Sequence, residues 1–447
     1  MGLTPQHPGG AGIAGLVTGN VVSLVGTRLA MIALPWFVIS STGSPSLTGA
    51  TAVVQTAPYV VAKALGGPLV DRWGPRRVAV WGEGVSGVVV MLIPLLDALG
   101  ALPLWAFLGL VLLTGATTGP ADGAKAAAVP MVAARAGRPL ERVTGLVGAG
   151  ERLATTVGAA AAGAVIAWLG AAPALWITAG CFLGAGVLLL RTLPSCGEAG
   201  SSGRAKARLD RAVLPSWEGE RAPRGIEPFR GYLARLGEGA VHLRREPLLL
   251  RIYLMAAATN ALDQALFAVV LPLWAFESGR GAGTVGLLAA VLGGAAVVSG
   301  GIAAALGHLL PRRVTYVLGF FLAGAPRYLV LAADLPLPWV LGVFAVAGFA
   351  SGFLNPIIGA VAYERIPAGL VGRVGALGSS VAWAGMPAGG ALGGGLAAAA
   401  SLPAALFLLG ATYLCVTCLP ILDRGWAAMD RPSGDGSPRD PGHGADQ

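Results

Sequence analysis

Long apolar stretches alternate with short polar breaks along almost the whole chain, at nearly regular intervals. A helix rising 1.5 Å per residue needs ~20 mostly apolar residues to cross the hydrocarbon layer of a bilayer. Such stretches fall at about 12–39, 47–70, 78–99, 102–121, 145–169 and 172–191, then at about 249–276, 283–309, 314–333, 337–359, 375–399 and 402–422. The pattern predicts an all-α integral membrane protein with twelve transmembrane helices in two six-helix bundles. The expected units are an N-terminal bundle at 1–191, a cytoplasmic linker at 192–247, a C-terminal bundle at 248–423 and a disordered tail at 424–447. In the linker, Phe229 to Arg245 has an amphipathic rhythm suited to a membrane surface.

Composition agrees with the pattern. Of the 447 residues, 55% are hydrophobic and 12% charged, where soluble domains hold about 25% charged residues. A soluble multidomain enzyme is excluded. The net charge of +9 does not describe a nucleic-acid binder, because the basic residues avoid the apolar runs and form no single stripe. They follow the positive-inside rule instead. With both termini cytoplasmic, 26 of the 31 lysines and arginines fall on the cytoplasmic side, and Arg280 stands alone in the opposite loops. Arg28, Lys63, Arg152 and Arg327 remain within spans, the last three close enough to the interfaces to snorkel. Few lysines among many arginines suit a GC-rich bacterial source, so the expected location is a bacterial plasma membrane.

The two halves repeat each other. Pro75-Arg76-Arg77-Val78 recurs as Pro311-Arg312-Arg313-Val314, and Pro35 near the end of span 1 corresponds to Pro272 in span 7. Arg142-Val143 and Arg373-Val374 each lead into a helix of small residues. Two similar bundles can rock about a site at their interface, which is the mechanics of alternating access.

The stretch Gly67-Pro68-Leu69-Val70-Asp71-Arg72-Trp73-Gly74-Pro75-Arg76-Arg77 resembles the loop 2–3 signature of the major facilitator superfamily. With Ala33-Leu34-Pro35-Trp36 and Thr42-Gly43-Ser44, the chain is similar to Tap-type actinobacterial drug exporters. The resemblance implies a latch holding the outward-facing state, made of Gly67, Asp71, Arg72, Gly74, Arg76 and Arg77. Asp71 would lie near the start of span 11, and Asp122 would be the acid partner of Arg72 or Arg77. Pro75 stands where most relatives carry an arginine. The span 4 arginine of many proton antiporters is absent between Leu110 and Pro120.

Ionisable groups inside spans are costly and mark candidate sites. Asp263 lies about twelve residues into span 7, ~18 Å deep at 1.5 Å per residue. The Pro35–Pro272 register sets Arg28 at nearly the same depth, so an Arg28–Asp263 pair across a central cavity is the expected proton or substrate coupling site. Asn20, Gln55, Asn260 and Gln264 are polar candidates for the cavity wall. Glu83 is expected to be structural. Gly158, Gly163, Gly389, Gly390 and Gly393 are expected to let helices pack closely.

No metal set or cofactor motif accompanies these residues. The four histidines form no cluster, and Cys415-x-x-Cys418 lacks two further zinc ligands. Gly10-x-Gly12-x-x-Gly15 follows no strand, and Gly119 to Lys125 lacks the P-loop spacing. The expectation is therefore a transporter and not an enzyme, with no cofactor, no nucleic-acid partner and a monomeric state. It would export small hydrophobic or cationic compounds in exchange for protons. Import of a small metabolite and a non-transporting membrane sensor are the alternatives.

Overall fold

The computed structural model describes residues 8–193, 237, 239–306, 309–366 and 371–430. The secondary structure it contains there is helical. The first half comprises α1 (Pro8–Thr42), α2 (Pro45–Leu65), the short α3 (Gly67–Trp73), α4 (Pro75–Ala98), α5 (Leu104–Ala136), α6 (Leu140–Leu169) and α7 (Ala171–Thr192). The second half begins with α8 (Pro247–Ala265), which runs through a π turn at Leu266–Val270 into α9 (Leu271–Glu277). Then come α10 (Gly281–Leu306), α11 (Arg312–Ala323), α12 (Ala325–Ala332), α13 (Leu337–Ser351), α14 (Leu354–Arg365), α15 (Val371–Ala399) and α16 (Leu402–Leu422).

Among the described residues, ten helical stretches are long and apolar enough to cross a membrane. The two other expected spans correspond to α2 and α15, whose Thr, Gln, Lys and glycine content dilutes their hydropathy. These helices pack against one another across the junction of the halves. Close helix approach sets their composition more than lipid does. A Cβ on Gly389 would collide with the Ala261 carbonyl, and one on Gly390 would lie 2.9 Å from Ala52 Cβ. Gly393 leaves 3.0 Å to the Ala265 carbonyl in the same way, and Gly163 sits directly on Gly286, where α6 meets α10.

The repeat is visible at the ends bearing the basic loops. α4 starts at Pro75 and α11 at Arg312, as the recurring Pro-Arg-Arg-Val predicts. Gly74, at φ 81°, makes the turn between α3 and α4 that a side chain would strain. Arg76 Nη2 donates to the Leu190 carbonyl at 2.6 Å, and Arg313 Nη2 donates to the Pro420 carbonyl at 2.7 Å. In both halves an arginine thus ties the start of the third span to the end of the sixth.

The apolar core explains how the halves meet. One cluster, including Leu34, Ile93 and Phe182 from the first half and Leu271, Phe344 and Leu409 from the second, runs across the junction. It lies toward the end with few charges, where Trp36 and Phe276 also make an edge contact at 6.2 Å. At the basic end each half has its own separate cluster. The halves are therefore joined at one end and parted at the other.

Two expectations about the polar segments are corrected or set aside. The linker at 194–236 and position 238 lie outside the described residues, as does the tail beyond 430. The tail does not start as disorder, because Arg424–Asp430 forms a 3-10 helix whose Trp426 is buried against Tyr316 at 5.6 Å. Arg365 donates to the Ala428 carbonyl, and the Arg313 N–H donates to Asp430 Oδ1 at 3.0 Å, so this turn closes the basic end of the second half.

Candidate functional site

A cavity of about 800 Å³ lies between the halves and extends toward the basic end. α6 contributes Glu151 and Arg152, and the second half contributes Asn260, Asp263, Arg327 and Trp383 among others. The cavity owes its closure on the far side to the glycine contacts of α2–α15 and α6–α10.

Asp263 reaches this cavity, but its partner is not Arg28. Arg327 Nη2 donates to Asp263 Oδ1 at 2.5 Å. The arginine side chain is 3% exposed, whereas that of Asp263 is 36% exposed. Arg327 had the look of a snorkelling interfacial residue, and the structure corrects this. The third span of the second half breaks at Gly324, between α11 and α12, and the break turns Arg327 inward. The Tyr413 ring occupies the space a side chain at 324 would need. The rings of Tyr413 and Phe267 each lie 5.8 Å from the guanidinium, and Tyr328 anchors the turn by donating to the Leu262 carbonyl at 2.7 Å. The π turn begins three residues after Asp263, and such turns commonly mark functional positions in helices.

Arg28 instead lines a smaller cavity of about 250 Å³, together with Gln55, Tyr59, Asp122, Asn260 and Trp383. Its nearest polar contacts are long, 3.4 Å to Met31 Sδ and 3.5 Å to Thr155 Oγ1. Gly158 makes room for its stem, since a Cβ there would lie 3.2 Å from Arg28 Cβ. Asn260 lines both cavities and donates to the Ala382 carbonyl at 2.9 Å, while Gln264 lines neither. Asn20 is buried and donates to Glu151 Oε1 at 3.1 Å.

Asp122 is also placed differently from expectation. α5 does not end near 121 but continues to Ala136, so Lys125 lies inside the first half and not in a loop. Lys125 Nζ sits 2.8 Å from both Glu83 Oε1 and Asp122 Oδ1, and 2.7 Å from Ser23 Oγ. Tyr59 donates to Asp122 Oδ2 at 2.8 Å. Asp122 is therefore committed to Lys125 and Tyr59, and is not the partner of Arg72 or Arg77. Lys63, expected to snorkel, instead lies 4.2 Å above the Trp383 ring of the other half and contacts Tyr59 at 3.1 Å.

The fold is that of a known transporter architecture. The sequence profile described as Major Facilitator Superfamily matches residues 16–259 and 253–438. The chain belongs to this superfamily. It is 28% identical over 413 residues to the multidrug efflux pump Tap of Mycobacterium bovis, a match covering 91% of this chain and 92% of the relative. It is 29% identical over 419 residues to the multidrug efflux pump Tap of Mycolicibacterium fortuitum, with the same coverage. Among solved structures, a mutant of the nucleoside transporter NupG superposes with a TM-score of 0.70 at 11% identity, covering 92% of this chain and 99% of that one. At that identity the likeness concerns the fold.

As a member of the Major Facilitator Superfamily, the chain is a multi-pass membrane protein of a transporter family that takes small-molecule substrates. Its loop 2–3 signature is not drawn together here. Gly67 opens α3, and Asp71, Arg72 and Arg77 are exposed without an ion-pair partner among the described residues. The side chains at 371–373, where Asp71 was expected to engage, lie outside the described set. A separated signature accompanies the parting of the halves at the same end. Among the described residues no group of three His, Cys, Asp or Glu could hold a metal ion.

Proposed function

We propose that this chain is a twelve-span exporter of small hydrophobic or cationic compounds, driven by proton entry. It resides in a bacterial plasma membrane with both termini cytoplasmic. The kinship with the multidrug efflux pumps named Tap supports drug efflux. The observation that carries the reading is the Asp263–Arg327 pair, half sealed and half open to the central cavity. With the basic end cytoplasmic, the cavity faces the cytoplasm and the exposed latch residues belong to the inward-facing state.

In this reading a compound enters from the cytoplasmic side and competes with Arg327 for the Asp263 carboxylate. The halves then rock about the glycine contacts until the cavity faces outward. There a proton takes the carboxylate, the compound loses its counter-charge and leaves, and the protonated pair returns. The ion pair is costly in a membrane and therefore suits a group that must change partners during the cycle.

Inside-out vesicles test the proposal. Vesicles carrying the chain should accumulate ethidium when respiration acidifies their lumen, and an uncoupler should release it. Accumulation no greater than in vesicles lacking the chain, or accumulation indifferent to the uncoupler, would contradict it.

A further inference from the structure

Two cations at the smaller cavity, Arg28 and Lys63, stand outside its ion pairs, and Lys63 lies over the Trp383 ring. The Asp122 carboxylate is engaged by Lys125 and Tyr59, and Asp263 by Arg327. Among the described residues Arg28 therefore has no carboxylate partner, and its buried Nε has no hydrogen-bond partner. The hydroxyls of Thr27, Thr56, Thr114 and Thr118 along the same wall donate to carbonyls of their own helices. They offer the guanidinium little competition. A planar fork with free donors inside a membrane protein is matched by a carboxylate, which takes two parallel bonds. The wall also carries Gln55, Asn260 and the engaged Asp122, and part of it is an aromatic and thioether face. Tyr59 and Trp383 stack at 5.8 Å with an interplanar angle of 22°, and Met31 and Met386 complete the surface.

We propose that this cavity is a subsite for an organic acid with an aromatic body, its carboxylate held by Arg28 and its rings lying against the Tyr59–Trp383 stack. The inference rests on the transport reading and widens its substrate class from hydrophobic and cationic compounds to aromatic acids and zwitterions. Asn260, shared with the large cavity, makes the two spaces neighbours. A zwitterion could thus set its acid at Arg28 and its amine toward Asp263.

Equilibrium binding to the purified full chain tests this without requiring transport. The probes are 2-naphthoate, neutral 2-naphthamide and cationic 2-naphthylmethylammonium. The chain should bind naphthoate, and Arg28→Gln should weaken that binding on the order of tenfold or more, the usual scale of a hydrogen bond to a charged group. Naphthamide and the cation should change little. Arg28→Lys keeps the charge without the fork and should lose several-fold for naphthoate alone, which serves if the Gln variant fails to fold. Absence of naphthoate binding, an unchanged affinity in both variants, or an equal loss for all three probes would overturn the proposal. Binding of the cation without naphthoate would remove this subsite and leave the export reading standing.

Discussion

In the first half, Lys125 is 3% exposed between Glu83, itself 1% exposed, and Asp122, and Ser23 and Tyr59 take up further bonds. In the second half, Arg327 is just as buried, yet Asp263 keeps 36% of its side chain open to the cavity. Both clusters are ion pairs within membrane helices, and the difference lies in access. Lys125 and Glu83 are sealed from both cavities and only Asp122, 12% exposed, touches the wall of the smaller one, so this network serves as framework joining α1, α4 and α5. A pair with one open carboxylate can change partners while the arginine stays fixed among aromatic rings. In the proposed cycle, burial of charge alone does not mark the coupling site; burial on one side only does.

Substitutions can separate the two clusters, and their effects should fall in order. Lys125→Met strands two carboxylates in the first half and should cost about 3–5 kcal/mol, the usual result of removing one member of a buried ion pair. Thermal unfolding of the detergent-solubilised protein, or loss of folded yield, would record it; an unchanged midpoint would show that the network is not framework. Asp263→Asn should cost only about 1–2 kcal/mol, because the amide oxygen and cavity water still accept from Arg327. A loss equal to that of Lys125→Met would erase the distinction. The smallest effect belongs to Arg312, whose pair with Glu364 at 2.6 Å is partly exposed at the basic end. Arg312→Gln should shift stability by no more than about 1 kcal/mol.

Much of this architecture was legible in the sequence because lipid imposes a length and a hydropathy on each span. The Pro-Arg-Arg-Val repeat located two equivalent helix starts, at Pro75 and Arg312, because proline and the positive-inside rule both act locally. Asp263 stood out by its depth. Its partner did not, because a proline register gives depth along a helix and not the direction a side chain takes around it. The missing signal was Gly324-Ala325-Pro326-Arg327, a break in mid-span that turns Arg327 inward. Lys125 was hidden for a related reason: Pro120 looked like the end of a span, yet α5 passes through it and carries the lysine into the interior. Polar residues that follow a proline can still lie in the fold's core when other helices supply their partners.

In the proposed cycle Asp263 is the group through which protons drive export, and proteoliposomes containing Asp263→Asn put this to the test. With an imposed pH gradient and ethidium as the transported probe, the wild type should move the dye uphill. The variant should exchange dye across the membrane in both directions yet build no gradient at any imposed pH difference. Uphill transport by Asp263→Asn at the wild-type proton-to-dye ratio would show that protons drive export through another group.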